Sequence, residues 1–201
     1  MIRYNVLLRL DRLLAFSDSV IVVAVVLLVY NLATFATTEP NAFQSQIFFS
    51  TLIVYVGSFI VVFFFWLTFT TLLEYIKNLN DIVASLSLIF LILVTLTPVG
   101  NVLEQQQKSE KSLLFTSLVE ISAGSVLLMM FFYVTKGKVP PNHVAKLTLT
   151  YTCVIPSVYT VCLFVSFLNF TIAQLLIYSI VPIFILVRIT VNKRYPENHI
   201  N

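Results

Sequence analysis

Arg12-Leu13-Leu14-Ala15-Phe16-Ser17-Asp18 runs without a break into Ser19-Val20-Ile21-Val22-Val23-Ala24-Val25-Val26-Leu27-Leu28-Val29-Tyr30-Asn31-Leu32, and the reading of this stretch decides the fold. As a helix it carries a basic residue at its entrance and a carboxylate about 9 Å of helix rise farther in, ahead of a β-branched run. An Asp at the middle of a spanning helix costs roughly 2.5 to 3.5 kcal/mol, so Asp18 is expected to be partnered or to sit close to the interface. The rest of the chain reads as packing around this helix.

The composition agrees. Of 201 residues 59% are hydrophobic and 10% charged, and 18 are Phe; the mean hydropathy is +0.96. A soluble domain carries about 25% charged residues, so the chain reads as an integral membrane protein. The first apolar segment contains Asp18 and lacks a small-residue cleavage site between Thr34 and Pro40, which argues against a signal peptide and for retention in the mature protein. The net charge of +3 carries no nucleic-acid meaning, because the basic residues fall in the connections and set orientation.

Six apolar segments are each long enough to cross about 30 Å of hydrocarbon as a helix: residues 8–34, 46–75, 82–103, 113–135, 144–168 and 172–191. They are apolar throughout, without the alternating polarity of barrel strands, so an all-α membrane protein is expected. The connections are short and leave no room for a second domain, so residues 1–201 read as a single six-helix transmembrane domain. Arg3, Arg9, Arg12, Lys77, Lys136, Lys138, Lys146, Arg188, Lys193 and Arg194 fall on one side of this arrangement, and Lys108 and Lys111 on the other. That asymmetry places both termini in the cytoplasm and agrees with an even number of spans.

Residues for catalysis are scarce. Cys153 and Cys162 lie nine residues apart in the fifth span and point in different directions on a helix, so neither an intrachain disulfide nor a metal site is expected. His143 and His199 read as solvated, and there is no His/Cys/carboxylate cluster, Ser-His-Asp set or Gly-rich phosphate loop; no enzyme and no cofactor is expected. Pro98 sits where it can terminate the third span. Pro156 and Pro182 predict kinks in the fifth and sixth, and Pro140-Pro141 separates the fourth from the fifth. Gly57-Ser58 and Gly124-Ser125 are small pairs that let neighbouring helices approach closely. Glu120, with Thr116 and Ser117 about a turn before it, reads as a neutral hydrogen-bonded acid, as a group facing a water-filled crevice, or as one near the outer headgroups.

Within the first helix, Val23, Leu27 and Tyr30 follow an i, i+4, i+7 spacing, and Val26 neighbours Val23 and Tyr30. In a lone chain such a stripe is ordinary helix–helix core. Copied around a rotation axis it makes rings of apolar side chains that close a conduit by excluding water.

Arg12-x-x-x-Phe16-Ser17-Asp18 near the start of the first of six helices resembles the signature of the transmembrane protein 175 family, potassium channels of lysosomes and prokaryotes. Tyr55-x-Gly57-Ser58-Phe59 leading to Phe65-Trp66, and Thr97-Pro98, are similar to the family's second and third helices. The resemblance covers the first half of the chain; the second half follows by hydropathy alone.

The resemblance implies one six-helix repeat per chain and a homotetramer whose first helices line a central pore in a prokaryotic cell membrane. Animal relatives carry two repeats and dimerise. Val23, Leu27 and Tyr30 match the positions of the pore constriction. Arg12, Phe16, Ser17, Asp18 and Trp66 match a network joining helices and subunits, in which Asp18 and Arg12 are expected to lock neighbouring helices at the cytoplasmic end. No Thr-Val-Gly-Tyr-Gly run is present, which excludes the carbonyl-lined filter of other potassium channels. Three positions depart from the family pattern: Val26 replaces a threonine linked with potassium preference, Phe69 a histidine and Ser87 an asparagine. Potassium permeation with weak selectivity is expected, through a smaller polar network. Two other classes remain: a proton- or ion-coupled secondary transporter working through Glu120 and Asp18, and a non-conducting membrane scaffold.

Overall fold

The computed structural model describes residues 2–38, 46–76, 79–107, 109–137 and 143–194. Lys77, Lys108, Lys138, Pro140, Pro141 and His199, on which parts of the sequence reading rest, lie outside the described residues. Seven helices follow in order: α1 (Ile2–Thr38), α2 (Gln46–Glu74), α3 (Asp81–Gln107), α4 (Glu110–Val134), α5 (His143–Ser166), α6 (Phe170–Tyr178) and α7 (Ile180–Arg194). The first five are long and apolar enough to cross a membrane.

The sixth expected span is two helices, α6 and α7, that meet at Ser179. Pro182 accounts for the break, because it has no N–H to donate to the carbonyl four residues back, and α6 closes instead through the Ser179 N–H to Leu176 O at 3.0 Å. A different outcome holds at Pro98. It lies inside α3, which continues to Gln107, so the expected termination there is wrong. Pro98 is buried, and packing against neighbouring helices sustains a proline inside a membrane helix.

α4 is the centre of the bundle. It packs closely on α3 and α5, and 56% of its most apolar stretch is buried, the largest share among the five long helices. Ser109 caps its start, accepting from the Ser112 N–H at 3.3 Å, which satisfies one of the N–H groups that a helix start leaves free. Small residues set the spacing. A Cβ on Gly124 would stand 2.8 Å from Cδ and Cγ of Pro156 on α5, and one on Gly100 would stand 2.6 Å from the Thr116 hydroxyl on α4. Gly124 thus meets the expectation of close approach, whereas a Cβ on Gly57 would meet nothing within 4 Å; that half of the small-pair reading fails within the chain.

Aromatic side chains fill the rest of the core. Phe64 stacks on Phe184 at 3.9 Å and Tyr151 closes on Phe184 at 5.1 Å, joining α2, α5 and α7. Phe69 stacks on Phe90 at 4.9 Å, joining α2 and α3. Such pairs contribute about 0.5–1.5 kcal/mol each beyond the area they bury. Cys153 and Cys162 are both free.

Candidate functional site

α1 is held by one narrow stripe. Ser17, Ile21, Ala24 and Leu28 are buried at i, i+4, i+7 and i+11, so they form a single line facing α2 and α3. The Ser17 hydroxyl is satisfied within α1, donating to Leu14 O at 2.7 Å. Near the other end the Asn31 amide donates to Pro98 O of α3 at 3.5 Å. The remaining circumference is open. Only 22% of the apolar stretch of α1 is buried, the least of the five long helices.

The residues singled out for a constriction lie on that open side: Val23 is 54% exposed, Leu27 41%, Tyr30 65% and Val26 57%. None of them serves the core of its own subunit. Phe16 is also exposed. A face this apolar needs a cover, either lipid or protein. Asp18 is exposed on the same helix, about 120–180° round it from Val23, Leu27 and Tyr30.

Asp18 does have a partner. The Trp66 indole N–H of α2 donates to Asp18 Oδ1 at 2.8 Å, a charge-assisted bond that fixes α1 against α2 near the start of the apolar run. Arg12 does not join it. Among the described residues no ion pair links Arg12 and Asp18, and on a helix a spacing of six residues turns them about 120° apart. Locking by Arg12 and Asp18 within one subunit is therefore not how α1 is held. The two other network positions are apolar or self-contained here: Phe69 stacks on Phe90, and the Ser87 hydroxyl donates to Val83 O in its own helix at 2.8 Å. Neither residue joins the Asp18–Trp66 bond that links α1 to α2.

A second polar group lies at the opposite end of the bundle. Glu120 of α4 is fully buried and accepts from the Thr97 hydroxyl of α3 at 2.9 Å, while its other oxygen has no partner. Its support comes from α3, not from Ser117 or Thr116, and its side chain lies wholly inside the protein. Beside it stands Glu104, 5% exposed, whose Oε1 also lacks a partner. Glu104 was not foreseen, because the third span was expected to end at Leu103. The signal was present: Thr97, Asn101 and Glu104 fall at i, i+4 and i+7, on one face of a helix continuing past Pro98.

Comparison with known proteins places these features in context. The model of the family described as the endosomal/lysosomal potassium channel TMEM175 matches residues 12–98, the stretch from Arg12 through α2 to Pro98. No curated protein matches the chain. The crystal structure of a lysosomal potassium-selective channel TMEM175 homologue from Chamaesiphon minutus has a similar fold, with a TM-score of 0.72 at 15% identity, covering 92% of this chain and 98% of that one.

Proposed function

We propose that this chain is the subunit of a potassium-permeable cation channel, in which four copies of a single six-span domain, residues 1–201, surround an axis lined by α1. The sixth span is formed by α6 and α7 together, and both termini face the cytoplasm of a prokaryotic cell. The observation that carries this reading is the open face of α1. Val23, Leu27 and Tyr30 stand at helical spacing, more than 40% exposed, on a face that the chain's own helices leave uncovered. The likeness to a potassium channel family over residues 12–98 supports the same assignment of α1.

In this arrangement Val23 and Leu27 form rings narrow and apolar enough to exclude water, and Tyr30 stands at the outer mouth. Val26 presents no hydroxyl to replace part of an ion's hydration shell, so discrimination between potassium and sodium is weak. The Asp18–Trp66 bond holds α1 in register with α2, Ser17 packs inside the chain, and Arg12 and Phe16 sit on the same segment at the subunit contacts. Opening requires a modest widening or rotation of α1. Potassium ions are the permeant species, and the channel needs no cofactor.

The test is potassium flux from liposomes reconstituted with the purified chain. Flux that saturates only at high potassium and is shared by sodium within about a tenfold range, a preference of about 1.4 kcal/mol, is expected. No flux indicates a scaffold. Slow, proton-coupled flux that disappears with Glu120→Gln indicates a carrier. Either result overturns the channel reading.

A further inference from the structure

Away from α1, and at the end of the bundle opposite Asp18, residues of α2 to α7 line a cavity with about 20 Å³ open to the centre of a water molecule. Roughly 10–15 Å³ suffices for one water, so a single water or small ion fits. Its polar wall is made of Ser58, Asn101, Glu104, Thr116 and Tyr159, and no residue of α1 contributes.

Three of these groups each commit a donor to a protein oxygen, while the Asn101 amide keeps a second N–H and the Thr116 hydroxyl also acts on Glu104. The Ser58 hydroxyl donates to Val54 O at 2.9 Å, the Asn101 amide N–H to Ser58 Oγ at 2.7 Å, and the Thr116 hydroxyl to Ser112 O at 3.2 Å. Each also carries an oxygen with lone pairs. Glu104 Oε1, buried and without a hydrogen-bond partner, offers another. Among the described residues, the Thr116 hydroxyl acts on Glu104, and the Thr97 hydroxyl and Glu104 act on Glu120; none of these is a Lys or Arg side chain. From α5, Tyr159 and Cys162 also lie within electrostatic reach of Glu104, and neither brings positive charge. A buried carboxyl with no basic partner among the described residues is neutralised by a proton or by a bound cation.

We propose that this cavity is an intrasubunit binding site for one small monovalent cation, held by oxygens of Glu104, Asn101, Ser58 and Thr116 and separate from any path along α1. All-oxygen coordination suits hard cations. One carboxyl in the wall balances one positive charge. A calcium ion asks for six to eight oxygens and magnesium for a rigid octahedron that retains its waters, which a cavity this small does not supply. Bound there, the ion ties α2 to α3 and α4, and so contributes to the stability of the outer half of each subunit.

The test is the melting midpoint of the purified full chain in potassium or sodium chloride against choline chloride of equal ionic strength, at mildly alkaline pH. A site filled to about a hundred times its dissociation constant raises the midpoint by about 5 °C or more. Glu104→Gln is expected to abolish the rise and Ser58→Ala to shift it to higher salt, while Leu27→Ala leaves it intact. The carboxylate infrared difference between potassium and choline gives a second reading that Glu104→Gln removes. The proposal is overturned if the alkali cations give no rise, if the rise survives Glu104→Gln, if calcium alone produces it, or if only acidification does, which would mean a shared proton in place of a metal ion.

Discussion

Leu27→Ala is expected to turn a mostly closed channel into a leaky one, with passive potassium flux rising by about tenfold or more. The physical basis is the cost of wetting an apolar constriction. Leu27 is 41% exposed in the chain, so its side chain is free to project toward other copies, and in the proposed tetramer four leucines at one level make a ring that water leaves. Trimming each to Ala widens the ring and removes apolar surface on every side. A barrier lowered by about 1.4 kcal/mol raises the rate tenfold, and the change in apolar area from four side chains exceeds that at roughly 25 cal/mol per Å². Leu27→Asp is expected to go further, since a ring of carboxylates hydrates the constriction and attracts cations. Ile89→Ala, on an exposed position of α3, serves as the control and leaves flux unchanged. Single-channel or liposome flux measurements decide the matter: equal flux in wild type and both Leu27 variants means that α1 does not line the path.

Gly124→Val is expected to have the largest effect on stability. Its Cβ alone would stand 2.8 Å from two ring atoms of Pro156 and 3.1 Å from a third, and a proline ring cannot swing aside because it is closed on its own backbone. The helices themselves have to part. α4 and α5 form one of the two most extensive helix pairs in the bundle, so the strain falls on the core; overpacking of this kind costs about 1–3 kcal/mol even for a methyl group, and Val adds two more. Pro156→Ala in the same chain removes two of the three clashing atoms and is expected to restore most of the loss, a coupling that a double-mutant cycle measures. Gly57→Ala is the contrasting case, within about 0.5 kcal/mol of wild type, because nothing lies near its Cβ. Midpoints of unfolding in mixed micelles give all four values.

Those two glycines mark what a sequence discloses. Both sit in a Gly-Ser pair, and composition alone treats them alike; only the helix opposite distinguishes them, a proline at 2.8 Å in one case and open space in the other. The helical class and the positions of the first five spans were legible, because each spanning segment is marked by its own unbroken apolar run. The end of α3 was not. Pro98 reads as a stop when local hydrogen bonding is considered alone, yet tertiary packing carries the helix on to Gln107, and with it Asn101 and Glu104 into the buried interior. The same local rule worked at Pro182, where the backbone does break.

At the candidate site the sequence located the segment but not its bonds. Asp18 was expected to need a partner, and Arg12 looked suitable by charge; the indole of Trp66, 48 positions away, takes that place. Such a pairing depends on how α1 leans on α2, which no spacing rule within one helix contains. The exposure of Val23, Leu27 and Tyr30 likewise became visible only when α2 and α3 had claimed the other side of α1.

Oxidative cross-linking of Leu27→Cys, in a chain with Cys153 and Cys162 replaced by serine and alanine, tests most directly whether α1 meets its own copies. The account predicts cross-linked chains from residue 27 and none from Leu186→Cys, which is exposed on α7. Absence of cross-links at residue 27 in membranes that yield them at residue 186 would contradict it.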